Sequence, residues 1–175
     1  VGRFVSTRAL AAVGTTGPLV NMFSGFFTGL SSGATVILAQ FYGANDLKGV
    51  DRTLHTGFSL SLILGLLVTA VGCGLGPTIL TWMQPPEECL EMAGTYLRID
   101  FAGSLASMVY NMEAGILRAM GDSRTSLYFL IAASLINVVL DLVFVLGAGL
   151  GVFGVGLATL ISQIASFVIS LVYAL

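Results

Sequence analysis

The sequence predicts an all-α integral membrane protein. Three observations carry that reading. Only 9% of its 175 residues are charged and 56% are hydrophobic. Soluble domains run near a quarter charged, so this chain cannot cover its surface with polar groups in water. Charged residues are missing from the whole of residues 9–45 and again from 53–86, and each gap exceeds the roughly 20 residues that a spanning helix needs. Strands of about ten alternating residues, the signature of a membrane barrel, are absent from the sequence.

Five spanning helices follow, near 18–42, 53–83, 93–119, 124–146 and 152–175 (spans A to E). Spans A and B fill the two charge-free gaps. Span C follows from the apolar run between Asp100 and Arg118, broken only by Glu113. Span D runs on from Arg124, broken only by Asp141. Span E has no charge at all. The connectors agree. "FYGANDLKGVDR" separates A from B, with Gly43 a helix stop. "MQPPEE" separates B from C, because paired prolines cannot continue a helix. In "MGDSRT", between C and D, Asp122 or Ser123 can cap helix D. "GAGLGVFG" turns the chain from D into E.

Composition also excludes function classes. A net charge of −2 gives no reason to expect nucleic acid as a partner. Cys73 and Cys89 are neither a disulfide framework nor a metal set, and read as packing residues. The chain starts at Val1 and its last apolar run stops without a terminating signal, so it reads as a piece of a longer membrane protein. Cationic residues orient such chains. Lys48, Arg52, Arg118 and Arg124 stand on one side, Arg3, Arg8 and Arg98 on the other, which favours connectors 43–52 and 119–124 on the cytoplasmic side.

The polar residues inside the spans point to the chemistry. A carboxylate at mid-helix costs about 2.5–3.5 kcal/mol on insertion scales, yet "SLINVVLDLVFVL" carries both Asn137 and Asp141. Four residues apart, they share a helical face, and Ser134 extends it. Folding D back on E about Leu150 sets Asp141 and Thr159 at equal depth, nine residues either side. Asn137 and Gln163 match at thirteen. Span E has its own polar stripe of Thr159, Ser162, Gln163, Ser166 and Ser170. A carboxylate, an amide oxygen and a hydroxyl are hard ligands, suited to Na⁺ or a proton. An interhelical hydrogen bond in a membrane averages only about 0.6 kcal/mol, less than the cost of the aspartate. An ion or proton site at Asp141, Asn137 and Thr159 is therefore favoured over a structural staple.

Span C contributes Ser104, Ser107 and Asn111 on one face. Ser107, Asn111, Ser134 and Gln163 are the expected lining of a polar cavity. Glu113 reads as a residue near the cytoplasmic edge that pairs with Arg118 or snorkels. In span A, Gly25, Gly29 and Gly33 repeat every four residues and read as a tight helix-packing face. "GLSSG" there also fits G-x-S-x-G, but it lacks the preceding strand and the His–acid pair that a hydrolase needs. His55, the single histidine, lies at a membrane edge. No enzyme and no organic cofactor are expected.

"ALAAVG" (9–14), "AQFYGA" (39–44), "ILRAMGDSRT" (116–125) and "GVFGVGLATLISQ" (151–163), in this order, resemble the MATE family, the multidrug and toxic compound extrusion transporters. The resemblance implies twelve helices in two six-helix lobes, of which this chain is most of the amino-terminal one, spans A to E being helices two to six. The first helix and the second lobe are absent. It implies a secondary antiporter that exports drugs or organic cations in exchange for Na⁺ or H⁺, placed in the cell membrane, with lipid and the missing lobe as partners. "NVVLD" is similar to the fifth-helix Asn-x-x-x-Asp of the DNA-damage-inducible-F-like branch, which implies a cation site at Asn137, Asp141 and Thr159 completed by a first-helix aspartate. It also implies cytoplasmic A–B and C–D connectors. The alternatives are a lipid-linked oligosaccharide flippase of the same superfamily or a non-transporting membrane scaffold. A flippase should hold buried Arg or Lys for its pyrophosphate, and no span has one near its centre. A scaffold gives no reason for Asp141.

Overall fold

The structure, a computed structural model, describes residues 7–82 and 87–174. In chain order it forms α1 (Thr7–Gly43), α2 (Leu47–Trp82), α3 (Glu87–Ala102), α4 (Ser104–Ala119), α5 (Ser123–Leu142), a π-turn (Val143–Gly147) and α6 (Gly151–Ala174). Four segments are individually long and apolar enough to cross a membrane: Ala11–Gly43, Leu47–Gly76, Ser123–Gly147 and Gly151–Tyr173. The chain is a multi-pass membrane protein.

Span C departs from the expected single helix. It is broken at Gly103 into α3 and α4, each of 16 residues. Sixteen residues rise about 24 Å, short of a hydrocarbon core of about 30 Å, so neither half would cross alone. Span A also differs, because its helix begins eleven residues before 18 and carries Pro18 inside it. The proline removes one backbone donor. Just before it, Thr15 donates to the Ala11 carbonyl and Thr16 to the Val13 carbonyl, both at 2.8 Å, bonds of a kind that bend helices. Helices in lipid tolerate proline where such groups adjust.

The ends of the helices follow local chemistry. α1 stops at Gly43 and the chain turns through Asn45, whose φ is +56°. Asp46 then accepts from the Gly49 amide at 3.1 Å, capping the start of α2. Asp122 caps α5 by accepting from the Thr125 amide at 3.0 Å, as the sequence predicts. Residues 83–86 of the "MQPPEE" connector lie outside the described residues, and so does the Cys89 side chain. Cys73 packs in α2, its thiol 3.6 Å from the Arg98 carbonyl.

The broken pair α3–α4 runs through the middle of the bundle, with α1, α2 and α6 packed around it. Its buried face, Ala93, Leu97, Phe101 and Met108, meets Phe27, Val68 and Leu80 from α1 and α2. Phe23 and Phe101 meet edge to face at 4.9 Å between ring centroids. Gly72 makes room for the Phe101 ring, since a Cβ there would overlap it. The outer faces of α2 and α5 stay apolar and exposed, as at Ile63, Leu66, Leu67, Leu130, Leu135 and Val139. Those faces suit a hydrocarbon solvent.

Gly25, Gly29 and Gly33 correct an expectation. A Cβ placed on any of them would have nothing within 4 Å. They are not a packing face within this chain. Gly29 and Gly33 instead line an open apolar groove of about 740 Å³ between α1 and α2, with Phe26, Ile37, Leu60 and Met112.

Candidate functional site

α5 and α6 fold back on one another through the Gly-rich turn. Gly149 and Gly151, at φ +64° and +57°, make the reversal that the sequence places there. Two further glycines at the start of α6 bring its neighbours close. A Cβ at Gly154 would stand 3.1 Å from the Phe144 Cβ, and one at Gly156 would stand 3.2 Å from Ile99 of α3. The first tightens α6 against the end of α5, and the second against α3. Immediately after Asp141 and Leu142 the α-helix widens into the π-turn. Single π-turns often mark functional sites, and no sequence signal announced this one.

Between α4, α5 and α6 lies a polar cavity of about 340 Å³. Ser107 and Asn111 line it from α4, Ser134 and Asn137 from α5, Thr159 and Gln163 from α6. These are six of the seven polar residues expected at the site or its lining. Tyr110, Ser162 and Ser166 complete the polar wall.

Asp141, the seventh, is one helical turn beyond Asn137 and outside the cavity lining. One of its carboxyl oxygens, Oδ1, is buried and has no hydrogen-bond partner. The Gln163 amide oxygen is likewise buried and unpartnered. Buried acceptors normally have donors, and leaving one without costs about 1–3 kcal/mol. The Thr159 hydroxyl is not the missing donor, because it bonds to the Val155 carbonyl at 3.0 Å. Among the described residues no group of three or more His, Cys, Asp or Glu could hold a metal ion. A hard monovalent cation does not need such a group; carboxylate, amide and hydroxyl oxygens suffice.

Sequence reasoning passed over two polar residues of α3, Tyr96 and Asp100, on a helix that packs against α6. Tyr96, Asp100 and Gly103 recur at i, i+4 and i+7, one helical face. Ile99 against Gly156 and Gly103 against Gln163 turn that side of α3 towards α6. In the sequence Asp100 reads as the polar edge of an apolar run, and a helical-wheel reading of 92–104 was the signal that could have found it. Gly103 has a steric role. A Cβ there would overlap the Gln163 amide oxygen. Its own backbone, at φ −81° and ψ −9°, is open to any residue, so what the glycine provides is room for the end of the Gln163 side chain.

Glu113 is a second correction. It is buried and it is not paired with Arg118. It is 7% exposed, and its carboxyl meets the Ser170 hydroxyl of α6. Arg118 instead donates to the Ser126 hydroxyl at 3.3 Å.

Comparison with known proteins agrees with this geometry. Residues 1–143 match the MatE family. The probable multidrug resistance protein YoeA of Bacillus subtilis (strain 168) is 33% identical over 99% of this chain and 38% of its own length. A solved multidrug resistance MATE family transporter of the MOP superfamily, in its outward-facing conformation, is 30% identical with a TM-score of 0.92, over 97% of this chain and 38% of that one. An inward-facing conformation is also 30% identical, with a TM-score of 0.91 over 96% of this chain and 38% of that one. The chain thus spans about two-fifths of the proteins it matches. Four long apolar helices, an intramembrane polar cavity and these likenesses agree: the chain belongs to the MatE family of transporters.

Proposed function

We propose that this chain is most of the amino-terminal lobe of a secondary antiporter that exports drugs or organic cations in exchange for Na⁺ or H⁺. Asp141 binds the coupling ion or proton, and Asn137 and Thr159 complete its shell. Gln163, Asn111, Ser107 and Ser134 line the adjoining cavity on the substrate side. The observation that carries the reading is the pair of buried, partnerless oxygens, Asp141 Oδ1 and Gln163 Oε1, at the edge of a polar cavity inside an apolar bundle. Such oxygens suit a cation or a proton better than they suit lipid or packing.

The mechanism follows from the geometry. Ion binding at Asp141 favours one facing state of the two lobes, and the opposite state releases the ion. Rocking of lobes moves the site between the two sides. In support, the lobe matches outward-facing and inward-facing relatives almost equally well, at TM-scores of 0.92 and 0.91. That likeness supports movement of the lobe as a body, without refolding. The described Lys48, Arg52, Arg98, Arg118 and Arg124 are all exposed, which leaves the cavity without a cation for a pyrophosphate. Connectors 43–52 and 119–124 face the cytoplasm, on the charge bias given above. The test is equilibrium binding of Na⁺ and of an organic cation to the full-length transporter. Replacing Asp141 by Asn should abolish ion binding and the competition between ion and substrate. Unchanged competition in that variant would refute the assignment.

A further inference from the structure

We propose that Glu113 is a second proton-binding site, held by Ser170 at the cytoplasmic end of the polar seam between α4 and α6. The seam is continuous. Tyr110 and Ser166 line the polar cavity. Glu113 is three residues on from Tyr110, and Ser170 four residues on from Ser166, so each lies one turn beyond the cavity wall. Ser162, Ser166, Ser170 and Glu113 are all buried, at 6%, 4%, 2% and 7% exposure.

The hydrogen count points to a proton on Glu113. Ser162 donates to the Thr159 carbonyl at 2.8 Å and Ser166 to the Ser162 carbonyl at 2.7 Å, each using its one hydroxyl hydrogen on its own helix. Ser170 repeats the pattern, 3.1 Å from the Phe167 carbonyl, and also meets Glu113 Oε2. Two contacts on two acceptors need two hydrogens, and a serine has one. A protonated Glu113 supplies the second by donating to Ser170 Oγ while Ser170 donates to Phe167. An ionised carboxylate would accept from Ser170 and be left as a buried charge with that lone hydroxyl for company.

The surroundings hold no counter-charge. On α4 the nearest titratable groups are Tyr110 and Arg118, and Arg118 is turned to Ser126 of α5. On α6, Tyr173 is turned away to Asp122, its hydroxyl donating at 3.2 Å. On α2, Arg52 lines the apolar groove with Met112, and described α1 has no Lys, Arg, His, Asp or Glu beyond Arg8. Among the described residues no Lys, Arg or His pairs with Glu113; His55 Nε2 stands 3.4 Å from Asp51 instead. Glu113 therefore binds and releases a proton as a carboxylic acid and its carboxylate, with no other group changed.

The role of this proton in export rests on the antiport reading above; its presence does not. The experiment is infrared spectroscopy of the purified full-length transporter in H₂O and D₂O at neutral pH. The wild type should show a protonated-carboxyl stretch that disappears in Glu113→Gln, persists in Asp141→Asn and shifts in frequency in Ser170→Ala. Ser170→Ala retains the carboxyl, so it tests the proposal even if Glu113→Gln does not fold. A spectrum unaffected by both Glu113→Gln and Ser170→Ala would mean an ionised Glu113 and would overturn the proposal. Loss of the band together with coupled export that survives Asp141→Asn would sink the antiport reading and leave this site standing.

Discussion

Gly103→Ala separates two accounts of the break between α3 and α4, because they differ on whether the variant melts higher. If the glycine serves only as a flexible joint, alanine is the better helix former by about 1 kcal/mol, and its backbone at φ −81° already suits alanine. The variant would then melt higher. The structure says otherwise, because the new methyl group would occupy the position of the Gln163 amide oxygen. What it displaces is the end of a flexible side chain beside a cavity, so the cost falls at the low end of the about 1–3 kcal/mol that overpacking brings. The net expectation is a melting temperature that does not rise, with Gln163 driven out of its place in the cavity wall. Substrate affinity should also fall, because the displaced amide no longer lines the cavity. The assay is thermal unfolding and substrate titration of the full-length transporter in detergent, for Gly103→Ala, Gln163→Ala and the double variant. Removing the glutamine side chain should relieve the clash, so the two changes should couple by about 0.5–3 kcal/mol. Strict additivity, or a higher melting point for Gly103→Ala alone, would refute the steric argument.

Gly72→Ala should lose about 1–3 kcal/mol by the same overpacking, because its Cβ would run into the Phe101 ring; Phe101→Leu in the same chain should restore part of the lost melting temperature. Asp122→Ala should lower the melting temperature by uncapping α5. The Asp122 carboxyl is held below the usual carboxylate range by hydrogen bonding to the Thr125 side chain, then by the Thr125 amide, with Tyr173 and Arg124 adding to it. Its contribution is therefore present above the unfolded-state pKa and is lost as pH falls through the lowered folded value. Melting curves of Asp122→Asn across acidic pH should lack that component. Asn137→Ala should weaken coupling-ion binding about tenfold, the cost of roughly one charge-assisted hydrogen bond, as read by calorimetric titration.

Much of the lobe was legible because lipid imposes a simple rule: long charge-free runs must be helices. The same rule made polar residues conspicuous, which is how Asn137, Thr159, Gln163, Ser134, Ser107 and Asn111 were found before the cavity that unites them. The short Gly-rich connector located the α5–α6 pair, since a tight turn sends the second helix back along the first. What was illegible depended on neighbours. Nothing in the one-dimensional pattern separates a proline that starts a helix from Pro18 inside one. The break at Gly103 answers to a side chain sixty residues away, Gln163. Glu113 looked like an edge residue because Arg118 is near it in sequence, whereas its partner is on α6. Gly25, Gly29 and Gly33 have the spacing of a packing motif but no neighbour within this chain, and spacing alone cannot supply one. The π-turn after Asp141 left no trace in the residue pattern.

The most direct test of the central claim is gradient-driven export by Asp141→Asn in everted vesicles from cells making the full-length transporter, with protein levels matched to wild type. Asparagine keeps the size and the hydrogen-bonding capacity of the side chain and removes its titratable charge. A packing role would survive that change, because an amide bonds across helices as an acid does. The expected result is loss of drug accumulation under an imposed Na⁺ or H⁺ gradient, while substrate still binds to the purified protein. Accumulation at the wild-type rate under either gradient would contradict the account and reduce Asp141 to a structural residue.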